Sequence, residues 1–108
     1  MKKSYLDIDV LREIARDPSV SQRQIASNNG ISLGKVNYVI KALLNKGHIK
    51  LHNFQKAGNK RKYMYLLTPE GMGEKTRLTK EFLKRKMEEY DHLQRQIVEL
   101  EEEVNNGN

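Results

Sequence analysis

Leu6, Val10, Leu11 and Ile14 recur at the three- and four-residue spacing that puts side chains on one face of an α-helix. Ser4 is placed to cap this first helix, and Asp17-Pro18 stops it, because the residue before proline avoids helical backbone. A second, short helix opens at Ser21-Gln22-Arg23-Gln24, where the Ser21 hydroxyl and the Gln24 amide can each satisfy a free backbone N–H in a capping box. Asn28-Asn29-Gly30 tolerates positive φ and predicts a sharp turn. Ser32 caps a third helix running to Lys46, with Val36, Val39, Ile40, Leu43 and Leu44 inward and Gly47 closing it in the left-handed region.

Past Gly47 the period changes from helical to alternating. Ile49 and Leu51 alternate with Lys50 and His52, and Tyr63, Tyr65 and Leu67 alternate beyond a polar loop. This predicts a two-stranded hairpin with a basic tip, Gln55 to Lys62, around Ala57-Gly58-Asn59. Thr68-Pro69-Glu70 then starts a last helix: a capping hydroxyl, proline at the first helical position, and a carboxylate at the positive end of the dipole. Nothing breaks that helix between Gly73 and Gly107. Gly71 and Gly73 each weaken its first turns by about 1 kcal/mol, so the junction either bends there or needs close packing.

A continuous helix from Pro69 to Val104 is about 54 Å long, whereas a compact body of the preceding residues is only about 28 Å across. The helix is therefore expected to overhang. Leu83, Tyr90, Ile97 and Val104 recur every seven residues, with Leu93 and Leu100 three positions on, which is the a/d seam of a coiled coil. Lys86 interrupts the seam, while Phe82 and Met87 widen it at the head end. These six seam residues are the expected dimer interface, parallel or antiparallel; the fallback contact is around Leu6 and Val10 of the first helix. Helix folding back on its own body is the alternative, but too little body is available. The expected organisation is a head unit over 1–67, a dimerisation helix over 68–104 and a disordered tail over 105–108.

Charge changes the picture. Between Asp17 and Glu70 the chain has no acidic residue and nine basic ones. Residues 1–67 carry 13 basic and 4 acidic groups, and residues 68–108 carry 7 and 10, so the formal +6 divides into a positive head and a mildly negative tail. A solvated surface normally mixes signs, and so one-sided a stretch points to a polyanion. The helix-turn-helix pattern lies in that stretch: Ala26 where two helices cross, Gly30 in the turn, Val36 and Val39 packing back. Asn29 departs from it, polar where such units often bury an apolar side chain, and is expected to cap the turn instead.

Such a unit aims the N-terminal part of one helix at a major groove. The outward face of the third helix holds Gly34, Lys35, Asn37, Tyr38 and Lys41. Lys35 can donate to guanine, Asn37 can pair with adenine in two bonds, Tyr38 can meet a thymine methyl or a phosphate, and Gly34 lets the backbone approach closely. Ser21, Arg23 and Ser32, at the openings of the second and third helices, complete this surface. In the hairpin, Lys56, Lys60, Arg61 and Lys62 fit phosphates, with the narrow minor groove as the other option. Read blandly, these are solvated faces that lack acids; the agreement of charge bias with motif favours double-stranded DNA as the partner.

Other chemistry finds little support. No cysteine is present, which removes disulfides and thiolate metal sites and suits the cytoplasm. Met1-Lys2-Lys3 is followed by Asp7 and Asp9 where a signal peptide would be apolar, and no run is long enough to cross a membrane. His48 and His52 share one strand face but sit about 13 Å apart, too far to hold one ion, and read as two surface histidines. With no catalytic constellation, no metal site and no cofactor motif, an enzyme is not expected.

The fold class is thus mainly α with a small β-hairpin, a winged helix-turn-helix followed by a long C-terminal dimerisation helix. The strings Ile31-Ser32-Leu33-Gly34-Lys35-Val36-Asn37-Tyr38, Ala42-Leu43-Leu44 with Lys46-Gly47, Tyr65-Leu66-Leu67-Thr68-Pro69-Glu70-Gly71 and Phe82-Leu83-Lys84-Arg85-Lys86-Met87 resemble those of MarR-type winged-helix transcriptional regulators. They are nearest a short subgroup, the MarR-family regulators associated with exopolysaccharide gene clusters. The resemblance implies a cytoplasmic homodimer that binds operator DNA through the helix from Ser32 to Lys46 and the wing around Lys56 to Lys62. Larger members bind small phenolic ligands; one C-terminal helix and a short N-terminal one set this chain apart from them, and it names no effector. The expected function is sequence-specific regulation of transcription. A non-specific architectural or replication-associated binder on the same fold is the alternative, and a protein adaptor acting through the coiled coil is a third.

Overall fold

The computed structural model describes residues 5–55 and 61–107, the side chains at 54, 55, 61 and 62 aside. The elements run α1 (Leu6–Arg16), α2 (Gln22–Asn29), α3 (Leu33–Asn45), β1 (Ile49–Gln55), β2 (Arg61–Leu67) and α4 (Pro69–Asn106). Two units divide the chain, Met1–Leu78 and Thr79–Asn108.

In the first unit, α1 buries Ile8, Val10, Leu11 and Ile14, and its dipole is matched by Asp7 and Asp9 in the first turn and Arg16 in the last. Burial pushes the Asp9 carboxyl above its ordinary range, an effect that Arg12 opposes. Tyr5 stands at the N-cap without a side-chain capping bond, and Ser4 lies outside the described residues. Val10 is fully buried and Leu6, half-buried, packs on the same core. Beyond α1 the Asp17 carboxylate accepts from the Ser19 N–H and hydroxyl, turning the chain toward α2.

The helix-turn-helix closes by repeated local chemistry. Ser21 and Gln24 form the expected capping box, each bond 3.0 Å. α2 and α3 end alike. Gly30 (φ 63°) and Gly47 (φ 74°) take the left-handed conformation, the Ile31 N–H reaches back to the Ala26 carbonyl, and the His48 N–H to the Leu43 carbonyl. Both are Schellman closures. Asn29 does more than close its own helix: its amide donates to the Ile25 carbonyl at 2.8 Å and to Glu13 at 3.1 Å. Asn28 donates to the same carboxylate. A polar residue is tolerated at this half-buried turn because Glu13 of α1 supplies the acceptor.

The hairpin pairs Ile49 with Leu67, Leu51 with Tyr65 and Asn53 with Tyr63 in one antiparallel register. Its apolar face covers the core at the base only. Ile49 is buried and Leu67 and Tyr65 are half-buried, but Leu51 and Tyr63 are exposed. The Tyr65 N–H also donates to the Pro18 carbonyl at 3.1 Å, tying β2 to the segment between α1 and α2.

The start of α4 belongs to the first unit and is latched to the α3–β1 corner. The Thr68 N–H donates to the His48 carbonyl at 3.0 Å, the Thr68 hydroxyl donates to the Gly47 carbonyl, and the same oxygen accepts from the Gly71 N–H. Of the two outcomes expected for the glycine pair, Gly71 meets the close-packing one, because a Cβ there would lie 1.7 Å from the His48 carbonyl oxygen. Gly73 has nothing within 4 Å of its would-be Cβ. Gly73→Ala should therefore raise stability by about 0.5–1 kcal/mol, read by thermal unfolding. His48 is not the surface histidine expected from sequence: it is largely covered, with Nε2 4.0 Å from Glu74, which four residues of α4 beyond Pro69 bring close. His52 is exposed, as expected. Leu78 completes the core.

The second unit is helix alone. Leu83, Tyr90, Leu93, Ile97, Leu100 and Val104 are all exposed on it. Lys86, which interrupts their spacing, has its ammonium 5.1 Å from the Phe82 ring centre and 3.2 Å from Glu89. The helix runs through Asn105 and Asn106, past the expected end at 104, and the Gly107 N–H still reaches the Glu103 carbonyl at 2.8 Å. Among the described residues no helix is long and apolar enough to cross a membrane, and no group of three potential metal ligands forms.

Candidate nucleic-acid interface

α3 turns one side to the core and the other outward. Ser32 holds its first turn, the hydroxyl accepting from the Lys35 N–H at 3.1 Å. Val36, Val39, Ile40 and Leu43 are buried, and Ala26 of α2 is buried in the same core. Helical periodicity then leaves Gly34, Lys35, Tyr38 and Lys41 exposed, with Tyr38 at 76%. An aromatic ring this open gains nothing from folding and is available to a partner. Among the described residues no carboxylate pairs with Arg23, Lys35 or Lys41.

Gly34 has room internally: a Cβ would meet nothing nearer than the Ser32 hydroxyl at 4.0 Å. The missing side chain is therefore not a packing requirement of the fold. Gly34→Ala should raise the melting temperature, since alanine favours helix over glycine by about 0.8–1 kcal/mol, while weakening DNA binding by filling the space a backbone approach needs. Calorimetry and duplex titration would show the two effects moving in opposite directions.

Asn37 differs from the open face expected of it. It is half-buried, and its amide nitrogen donates to Gln22 Oε1 at 3.2 Å. Gln22 Nε2 in turn donates to the Tyr65 hydroxyl at 3.1 Å. Ser21, Gln22, Arg23, Leu33, Gly34 and Asn37 together line one open groove between the N-terminal ends of α2 and α3. Two of these escaped the sequence reading. Leu33 is 43% exposed and directly follows the Ser32 cap, a signal that could have found it. Gln22 carried no such signal, because its partner Tyr65 is 43 positions away.

Ser21 and Ser32 each accept a backbone N–H, which leaves the hydroxyl proton of each to donate outward. Lys56 and Lys60 lie outside the described residues. Arg61 and Lys62 have strand positions opposite Gln55 and Phe54, and their side chains lie outside the description. Elsewhere in the first unit, Ile14, Pro18, Tyr65, Leu67 and Met72 line an apolar cleft of about 310 Å³.

Residues 3–50 match a family model described as winged helix-turn-helix DNA-binding. The match spans α1 to α3 and ends as β1 begins. No curated protein matches the sequence. Among solved structures, Staphylococcus aureus MarR in complex with salicylate and kanamycin is similar at 20% identity and TM-score 0.56, over 79% of this chain and 55% of that one. A PadR-like transcriptional regulator from Bacillus cereus is similar at 13% identity and TM-score 0.71, over 82% and 91%. The PcaV transcriptional regulator from Streptomyces coelicolor is similar at 19% identity and TM-score 0.60, over 77% and 60%. The chain thus spans less than two thirds of the MarR and PcaV chains. At such identities the likeness is one of fold. Residues 3–50 are thus similar to winged helix-turn-helix DNA-binding domains. The fold of the chain is similar to that of the MarR, PcaV and PadR-like structures.

Proposed function

We propose that this protein is a sequence-specific transcriptional regulator without catalytic activity, acting in the cytoplasm as a homodimer on operator DNA. The observation that carries the reading is the outer face of α3, where Tyr38 stands open between the unpaired cations Lys35 and Lys41 in a stretch of chain without acids. A coating surface needs charge only. A reading surface needs varied side chains at fixed positions, and an aromatic, an amide and a lysine on a capped helix supply them. The seam from Leu83 to Val104, exposed along a single helix, supports the dimer, since six large apolar side chains at heptad spacing suit a second copy. The narrower resemblance to regulators associated with exopolysaccharide gene clusters rests on sequence strings alone.

The roles of wing and helix should separate by experiment. Lys60→Ala, Arg61→Ala and Lys62→Ala should each weaken every duplex similarly and flatten the salt dependence by about one unit, because each removes a phosphate contact. Tyr38→Ala and Asn37→Ala should instead erode preference among sequences by about 1–3 kcal/mol at the touched base pair. Selection of bound duplexes from a random pool, followed by titration across salt concentrations, measures both. If wing changes alter base preference and helix changes do not, the assignment is reversed.

A further inference from the structure

A free asparagine amide is an ambiguous reader. Turning it by half a rotation exchanges its donor and acceptor, and the two forms suit different base edges. In this protein the amide already has a partner before DNA arrives. Asn37 Nδ2 donates to Gln22 Oε1 at 3.2 Å, which requires the amide nitrogen to face Gln22. Gln22 Nε2 in turn donates to the Tyr65 hydroxyl at 3.1 Å, which braces the Gln22 side chain against β2; a phenol donates as well as accepts, so the brace fixes the place of the amide and not its order. Tyr65 is fixed in turn by its backbone N–H on the Pro18 carbonyl and by its place in β2 opposite Leu51.

We propose that Gln22 is a positioning residue for base readout: braced by Tyr65, it holds the Asn37 amide in place in the groove between α2 and α3. One Nδ2 hydrogen is spent on Gln22, leaving Oδ1 to accept and the second hydrogen to donate. That pair matches adenine in the major groove, whose N6 amino group donates and whose N7 accepts. The relay also removes the cost of ordering the amide at the moment of binding. It spans α2, α3 and β2, so the reading amide depends on the base of the wing and not on its own helix alone. Gln22 acts through Asn37 and need not touch DNA. The inference rests on the regulator reading above and deepens it.

The test is duplex selection from a random pool by the full-length wild type, Asn37→Ala, Gln22→Leu, Gln22→Glu and Tyr65→Phe, with thermal unfolding of each. Asn37→Ala marks the base position that Asn37 reads, where the wild type should prefer adenine. Gln22→Leu should lower that preference about tenfold and leave the other positions unchanged. Gln22→Glu should restore the preference, since a carboxylate can accept from both Asn37 Nδ2 and the Tyr65 hydroxyl, even where its charge lowers affinity for every duplex. Tyr65→Phe, which removes one oxygen and keeps the ring, should give an intermediate loss at the same position; it carries the test alone if Gln22→Leu does not fold. A wild-type preference kept in full by Gln22→Leu, or by Tyr65→Phe where only that variant folds, would overturn the relay. So would a uniform loss over all duplexes, or a new preferred base with Gln22→Glu, which would mean that Gln22 reads DNA itself. A wild type with no preference at any position would instead overturn the regulator reading, and the relay with it.

Discussion

A chain ended after Leu83 is expected to keep a folded head and to lose operator affinity by orders of magnitude. Leu78 is the last residue of α4 in the core, so the cut leaves the first unit whole. It removes Tyr90, Leu93, Ile97, Leu100 and Val104, which are exposed on their helix. A dimer reads two half-sites about one helical turn, or 34 Å, apart. In the proposed dimer each head would make only a few phosphate and base contacts, and joining two would make the second binding event intramolecular. Loss of the seam therefore costs far more than the apolar area it buries. Sedimentation should report a monomer, and titration of a palindromic duplex should report the lost affinity. A truncated chain that still sediments as a dimer would place the contact in the first unit. Val10 is buried in the core there, so such a contact would rest on Leu6 and its exposed neighbours on α1.

The second large effect is expected at a single methyl group. Gly71→Ala puts a Cβ 1.7 Å from the His48 carbonyl oxygen and 2.7 Å from its carbon, with backbone on both sides of the clash. No side chain can swing away, so α4 and the α3–β1 corner must separate. That movement also strains the Thr68 bonds to Gly47 and His48. Overpacking typically costs about 1–3 kcal/mol and sometimes more, and a rigid backbone clash belongs at or above the top of that range. Small domains hold only about 5–15 kcal/mol in total, so thermal unfolding should show a large drop or no cooperative transition. Gly73→Ala, two residues on, should move the other way. A Gly71→Ala protein that melts with the wild type would mean the corner and helix are not held as described.

The contrast between those two glycines shows how much of the fold was legible. Features set by neighbours in sequence could be read directly. The Ser21–Gln24 capping box, the Ser32 cap, the turns at Gly30 and Gly47 and the alternation that makes the hairpin all depend on residues within a few positions of one another. What depends on distant approach could not be read so far. Sequence left Gly71 as either a bend or a close contact, and only the His48 carbonyl decides it. His48 looked like a surface residue because Glu74 is far along the chain. Asn29 looked like a simple turn residue because its acceptor, Glu13, belongs to another helix.

The candidate site follows the same rule. The outer face of α3 is a matter of helical periodicity, so Lys35, Tyr38 and Lys41 could be named in advance and are exposed. Gln22 could not be named, since it matters only once α2, α3 and β2 come together around Asn37.

Competition between duplexes tests the central claim most directly. A duplex selected from a random pool and an unrelated duplex of equal length should compete for the full-length protein at physiological salt. The selected duplex should win by at least about 10³-fold, the lower end for specific DNA-binding proteins. Equal competition by the two would contradict it and leave a DNA-coating protein on the same fold.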